Sequence, residues 1–176
     1  FVIWTTTPWT LPSNVALCVN AHEDYCEFQL DGQTYILAQA LLHAVFGEKA
    51  HEGQVLKTMK GAELCGTAYK PLYRFEGITY PREKGWYVVS DDYVTLTDGT
   101  GIVHIAPTFG ADDDRVAKAA GIPPLFMVDR AGKNQPMVDR QGKFFLIEEL
   151  DPEFVKTHVD AAKYGEYAGR YVKNAY

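Results

Sequence analysis

The chain has 176 residues, of which 47% are hydrophobic and 23% charged, and its formal net charge is −6. That balance excludes a disordered chain and supplies apolar side chains for one sizeable core or two small ones. The acidic surplus argues against a domain that grips nucleic acid over a long stretch, because phosphate contacts need Lys and Arg, but it leaves room for a cleft that takes one strand end.

Lys57, Lys60, Arg74, Arg82 and Lys84 are candidates for a local basic patch at such a cleft, against the plainer reading of a solvated mixed surface. No apolar run approaches the ~20 residues of a membrane span, and no basic-then-apolar leader is seen. The chain opens at Phe1, midway in a β-prone run, as expected of a piece of a longer protein. Cys18, Cys26 and Cys65 are odd in number and show no Cys-x-x-Cys spacing. Buried thiols in a reducing cytoplasm fit that pattern better than a disulfide framework.

Two β-prone segments come first, FVIWTTT (1–7) and VALCVN (15–20), separated by a loop PWTLPSN (8–14) whose prolines cannot donate to a ladder. YCEFQL and QTYILA flank Asp31-Gly32, a strong hairpin signal. Residues 38–47 have helical apolar spacing and stop at Gly47. Residues 53–75 read as strands broken at Gly61 and Gly66, and residues 85–107 as two strands around Asp98-Gly99. The stretch 111–121 predicts a short helix with Asp112, Asp113 and Asp114 at its start, where negative charge suits the dipole. A last helix is expected over about 152–164. No internal repeat or low-complexity tract is read. Strands outnumber helices without regular alternation, which predicts a single α+β domain over 1–176, built on a closed or nearly closed β-barrel with short peripheral helices.

Two constellations can carry chemistry. In the first, Thr5, Thr6 and Thr7 run off a strand into the proline-shaped loop that holds Trp9 and ends at Asn14. Hydroxyls donate and accept, so they can hold a ribose, a water or an ester carbonyl. The plainer alternative is that Thr forms strands well and the loop is a rigid turn. In the second, the apolar strand Gly101-Ile102-Val103-His104-Ile105-Ala106 ends at Pro107, and a glycine turn leads to the acidic helix start. Asp113 can hold an ammonium group by a charge-assisted hydrogen bond. His104 can form a pocket wall or orient a water. Their plainer alternatives are helix capping and a satisfied core histidine. No Ser-His-Asp order, Walker loop or His-x-x-x-His spacing is present, so neither metal nor cofactor is expected.

Taken together, WTTTPWTLPSN and GTGIVHIAPTFGADD, with KGAELCGTAYKPLY between them, resemble the editing (connective-peptide) domain of isoleucyl-tRNA synthetases, class I aminoacyl-tRNA synthetases. The likeness runs from Phe1 to the closing GRYVKNAY. Valyl and leucyl relatives typically carry an arginine after the threonines; Pro8-Trp9 follows Thr7 here and favours the isoleucyl branch. Many bacterial members read Gly-His-Gly where this chain has Thr108-Phe109-Gly110, so a second histidine has no role in that turn. HIGH and KMSKS are absent, so aminoacyl-adenylate synthesis is not expected of these residues.

The resemblance implies hydrolysis of valine wrongly esterified to the 3′ end of tRNA(Ile), with isoleucine excluded by pocket size. It implies that Asp113 holds the α-amino group and that His104 and Trp9 bound the side-chain pocket. Thr5, Thr6 and Thr7 then contact the terminal adenosine, the ester and the attacking water, and Asn14 joins the same pocket. Thr6, Thr7 and Asp113 are the expected catalytic residues. Partners are the valine-bearing tRNA end and the remainder of the parent synthetase, in the cytoplasm and without a membrane. The alternative from another class is a non-catalytic module that binds the tRNA 3′ end by stacking and hydrogen bonds.

Overall fold

Asp31 and Gly32 adopt φ of 52° and 76°, the left-handed pair that a two-residue hairpin needs. They join β2 (Asp24–Leu30) to β3 (Gln33–Ala38), antiparallel with Leu30 opposite Gln33. In the computed structural model, which describes residues 1–73 and 84–175, β4 (Gln54–Lys60) pairs with the other edge of β2. The sheet order is therefore β3-β2-β4. β1 (Ala16–Val19) lies between β5 (Tyr87–Ser90) and β6 (Val103–Ile105) in a second sheet, parallel to β5. β7 (Met127–Val128) and β8 (Asn134–Gln135) form a third.

The helices are short. α1 (Leu42–Phe46) follows a 3-10 turn and ends at Gly47, as expected. α2 (Gly61–Leu64) stands where a strand was expected. Glu63 explains it: its carboxylate accepts the Lys60 N–H at 2.8 Å and caps a helical turn. α3 (Ala111–Ala119) matches the expected acidic-start helix. The expected final helix is two, α4 (Pro152–His158) and α5 (Ala161–Tyr164). Asp160 divides them, because its side chain accepts from Ala162 and Lys163 N–H and starts a new helix.

Several expectations need correction. Residues 1–7 form no strand, although Val2 N–H still donates to Ile36 O at 2.9 Å. Residues 8–13 are a 3-10 helix, Pro8–Ser13. β5 and β6 do not flank a tight turn at Asp98-Gly99; β1 separates them. The mixed α+β class holds, but no closed barrel forms among the described residues, whose sheets have three, three and two strands. Residues that a barrel would need at 61–64 and 91–102 are spent on a helix and on turns. Arg74 and Arg82 lie outside the described residues. Lys60 pairs with Asp24 at 2.9 Å and donates to His22 O, and so is already engaged.

A repeat, not expected, is also present. Val128-Asp129-Arg130-Ala131-Gly132-Lys133 and Val138-Asp139-Arg140-Gln141-Gly142-Lys143 share the pattern V-D-R-x-G-K, and both fold into the same turn. In each, the aspartate N–H donates to the lysine carbonyl (2.9 and 2.8 Å) and the glycine N–H to the aspartate carbonyl (2.9 and 3.0 Å). Asp129 Oδ1 accepts from Ala131 and Lys133 N–H; Asp139 Oδ1 accepts from Gln141 and Lys143 N–H. Gly132 and Gly142 take φ of 73° and 76°.

The chain divides into two compact units. The first comprises Phe1–Thr6, Ala16–Tyr69 and Tyr87–His104. Its core gathers Leu17, Val19, Tyr25, Ala38, Met59 and Val88, with a neighbouring cluster around Phe28 and Leu37. The second comprises Thr7–Val15, Lys70–Trp86 and Ile105–Tyr176. Phe144 is fully buried there, with the rings of Tyr73, Tyr164 and Tyr167 around it.

Tyr25 ties the first unit together. Its hydroxyl donates to Gly101 O at 2.6 Å and accepts Asn20 N–H at 2.9 Å, and burial pushes its pKa up to about 12. Tyr25→Phe strands both backbone groups. Urea unfolding should show a loss of about 1–3 kcal/mol; an unchanged midpoint would remove Tyr25 from this role.

Candidate functional site

The threonine motif is shaped by proline. Pro8 pre-sets the first turn of the 3-10 helix, and Thr7 O accepts both Thr10 N–H (3.0 Å) and Thr10 Oγ1 (2.8 Å). The two hydroxyls lie 3.4 Å apart. Thr7 is half-buried, Thr10 is buried and Trp9 is 45% exposed, so the loop turns one hydroxyl inward and an indole outward. Ser13 Oγ accepts Met137 N–H at 3.2 Å. Gly142 lies against Trp9; a Cβ there would come within 2.9 Å of the Trp9 Cβ. Glycine at 142 thus serves twice, for its positive φ and for this approach.

Asn14 is buried and ends this helix. Its carbonyl accepts Trp86 Nε1 at 3.0 Å, and the next carbonyl, of Val15, accepts Trp86 N at 2.6 Å. Trp86 has φ of 59°, a region that bulky side chains rarely occupy, so the clamp is maintained against backbone strain. Sequence reasoning missed Thr10, Ser13 and Trp86. Thr10 and Ser13 stood in the quoted motif; nothing local marked Trp86.

Asp113 sits in the first turn of α3. Its neighbours are spent on the helix surface: Asp114 pairs with Lys118 at 2.6 Å and Asp112 with Arg115 at 3.7 Å. Asp113 instead reaches back to the segment after β6, where Oδ2 accepts Ala106 N–H at 2.8 Å. Helix capping is therefore not its role; the N-cap is Gly110. Oδ1 receives no hydrogen bond among those described. Burial pushes the Asp113 pKa up, the Ala106 N–H opposes this, and Asp112 adds repulsion. A carboxylate penalised in this way gains from a bound cation.

His104 is buried in β6, and burial pushes its pKa down to about 4. At neutral pH its imidazole is uncharged. Thr5 is half-buried and Thr6 exposed. Thr5, Thr6 and His104 belong to the first unit, and Thr7, Trp9, Asn14 and Asp113 to the second. No group of three or more metal-ligating side chains gathers among the described residues, and no described helix is long and apolar enough to cross a membrane.

The chain is 50% identical, over its whole length, to isoleucine–tRNA ligase of Bacteroides fragilis, and it spans 17% of that protein. The enzymes of Bacteroides thetaiotaomicron (47%, 18% of its length) and Porphyromonas gingivalis (46%, 17%) also match over the whole chain. The chain matches isoleucyl-tRNA synthetase from end to end. No family model matches. Among solved structures, the CP1 domain of GlLeuRS, a leucyl-tRNA synthetase, aligns with TM-score 0.52 and 19% identity over 71% of this chain and 54% of that one. The editing domain of Plasmodium falciparum cytosolic leucyl-tRNA synthetase aligns with TM-score 0.53 and 13% identity, over 74% and 55%. The chain thus shares, over about 71–74% of its length, the fold of these leucyl-tRNA synthetase domains.

His104 sets a pH dependence. Its folded pKa lies below its unfolded value, so the unfolded chain binds the extra proton. The stability contributed by neutral His104 is fully present above about pH 6.5 and is lost as pH falls toward about 4, a span worth roughly 3 kcal/mol. Asp113 has the opposite sign, and its contribution falls as pH rises above the usual carboxylate range. Unfolding free energy measured from pH 7 to 4 should decline, and His104→Gln should flatten the decline. An equal slope in that variant would exclude His104 as its source.

Proposed function

We propose that residues 1–176 act as one editing domain that hydrolyses the ester of valyl-tRNA(Ile) and spares the isoleucyl ester. The observation that carries the reading is Asp113, a partly buried carboxylate whose Oδ2 is fixed by Ala106 N–H while Oδ1 is left to accept an α-ammonium group. The match to isoleucine–tRNA ligases and the fold shared with editing domains support it. One missing methylene is worth only ~1–3 kcal/mol in an apolar pocket, the worked case for this enzyme family, so a second, smaller site is needed to reject valine.

In this reading Asp113 holds the amino group, and neutral His104 and Trp9 bound the side-chain pocket. Thr5, Thr6 and Thr7 contact the adenosine, the ester and the water, and Asn14 joins the same pocket. Thr5, Thr6 and His104 take these roles on the family resemblance. His104 with a pKa near 4 is unsuited to be the base at neutral pH. The free ribose hydroxyl of the terminal adenosine assists the water instead. The partners are the valine-bearing tRNA end and the rest of the synthetase, in the cytoplasm.

The test is deacylation of valyl- and isoleucyl-tRNA, with two substitutions at Asp113. Asp113→Asn keeps an acceptor for Ala106 N–H and removes the charge, so the fold should persist while valyl hydrolysis falls by about two orders of magnitude or more. Asp113→Ala also strands that N–H and should cost about 1–3 kcal/mol of stability. Full activity in Asp113→Asn would sink the ammonium role. Binding of the valyl ester without turnover, in wild type and variants alike, would favour the non-catalytic module.

His104→Ala enlarges the pocket and should admit isoleucine, read as loss of isoleucyl-tRNA over time. A substrate ending in deoxyadenosine should be cleaved far more slowly; an undiminished rate would exclude the ribose hydroxyl.

A further inference from the structure

The two V-D-R-x-G-K turns have no part in the roles assigned above. Both belong to the second unit, and so does the loop from Thr7 to Val15. Arg130, Lys133 and Arg140 are exposed and Lys143 is half-buried. In a chain of net charge −6, residues 128–143 carry four cations and two carboxylates. Both carboxylates are turned inward: Asp129 accepts from Ala131 N–H, Lys133 N–H and the Gln135 side chain, and Asp139 from Gln141 N–H and Lys143 N–H. Those bonds hold the Asp129 carboxyl below the usual carboxylate range, so it stays ionised and occupied. The described ion pairs do not include Arg130, Lys133, Arg140 or Lys143. The acids thus shape the turns, and Arg130, Lys133 and Arg140 face solvent.

The second turn is fastened to the threonine loop. Gly142 abuts Trp9, and Met137, between the two turns, donates its N–H to Ser13 Oγ. The second turn cannot move far without moving residues 8–13. A strand whose end is held by that loop therefore has its preceding phosphates within the same rigid neighbourhood as the turn cations. Two copies of one turn, each presenting an Arg and a Lys, suit a ligand with regularly repeated anions, and a polynucleotide backbone is such a ligand.

We propose that the tandem V-D-R-x-G-K turns are a phosphate-backbone contact for the RNA strand whose 3′ end enters the threonine loop. This rests on the editing reading for the identity of the strand. The contact is electrostatic and independent of sequence. It gives an acidic chain a local means of holding RNA.

The test uses the full-length synthetase carrying Arg130→Gln, Lys133→Gln and Arg140→Gln together, with Arg130→Lys/Arg140→Lys as a charge-preserving control. Two substrates are compared, valyl-tRNA and a valyl-adenosine fragment without flanking phosphates. The triple variant should lose about tenfold or more in kcat/KM on the tRNA through KM, with kcat held. The slope of log kcat/KM against log salt should become shallower by about two to three. Hydrolysis of the adenosine fragment should not change, and the control should behave as wild type. An unchanged tRNA KM and salt slope, with both substrates still cleaved, overturns the proposal and leaves editing intact. Equal losses on both substrates also overturn it, because the turns would then be acting on the fold. If the wild type cleaves neither substrate, the editing reading fails, and the salt slope for binding uncharged tRNA decides: a shallower slope in the variant supports the contact, an equal one removes it.

Discussion

Buried N–H and C=O groups must find partners, and this chain has few ladders long enough to supply them. Its strands run from two to seven residues. Side chains therefore do much of the work that a sheet would do elsewhere. Tyr25 serves Asn20 and Gly101, Trp86 serves Asn14 and Val15, Asp113 serves Ala106, and Ser13 serves Met137. Carboxylates at Glu63, Asp129, Asp139, Glu149 and Asp160 shape turns and helix starts in the same way. Polar residues of the candidate site thus help to hold the scaffold. That is why Asp113→Asn and Asp113→Ala are different experiments.

The same constraint explains what could be read from the sequence. The hairpin at Asp31-Gly32, the stop at Gly47 and the acidic start of α3 were legible because each depends on residues within one turn. The sheet arrangement was not, and the expected barrel does not form among the described residues, because strand pairing depends on partners far apart in the chain. β1 pairs with β5 in parallel and also lies beside β6, an arrangement that periodicity cannot show. Residues 61–64 look like strand until Glu63 is seen to cap a helix. The break before α5 follows from Asp160, a residue that fits a helix surface equally well on paper.

At the site, residue identity was more legible than residue role. The two motifs led to Asp113, but its hold on Ala106 N–H depends on a fold-back that spacing alone does not reveal. His104 read as a core histidine on its own residues and as a pocket wall by resemblance; its burial and lowered pKa describe a neutral imidazole and fit either reading. The six-residue repeat escaped notice because its copies are short and separated by only a few residues. The matching hydrogen bonds of the two turns make it plain.

The interleaving of the two units bears on the order of events during synthesis. Neither is a continuous stretch: the first needs residues up to His104, and the second uses Thr7–Val15 but is completed only by Ile105–Tyr176. A chain leaving the ribosome can close the β2–β3 hairpin at once, yet β1 must wait for β5 and β6 to emerge. Such non-local pairing is slow to form, because loop closure comes before any gain from contact. The apolar residues of β1, all fully or nearly fully buried at the end, are then open to wrong partners until β5 and β6 emerge. Chaperone demand should accordingly concentrate on nascent chains that end before residue 104.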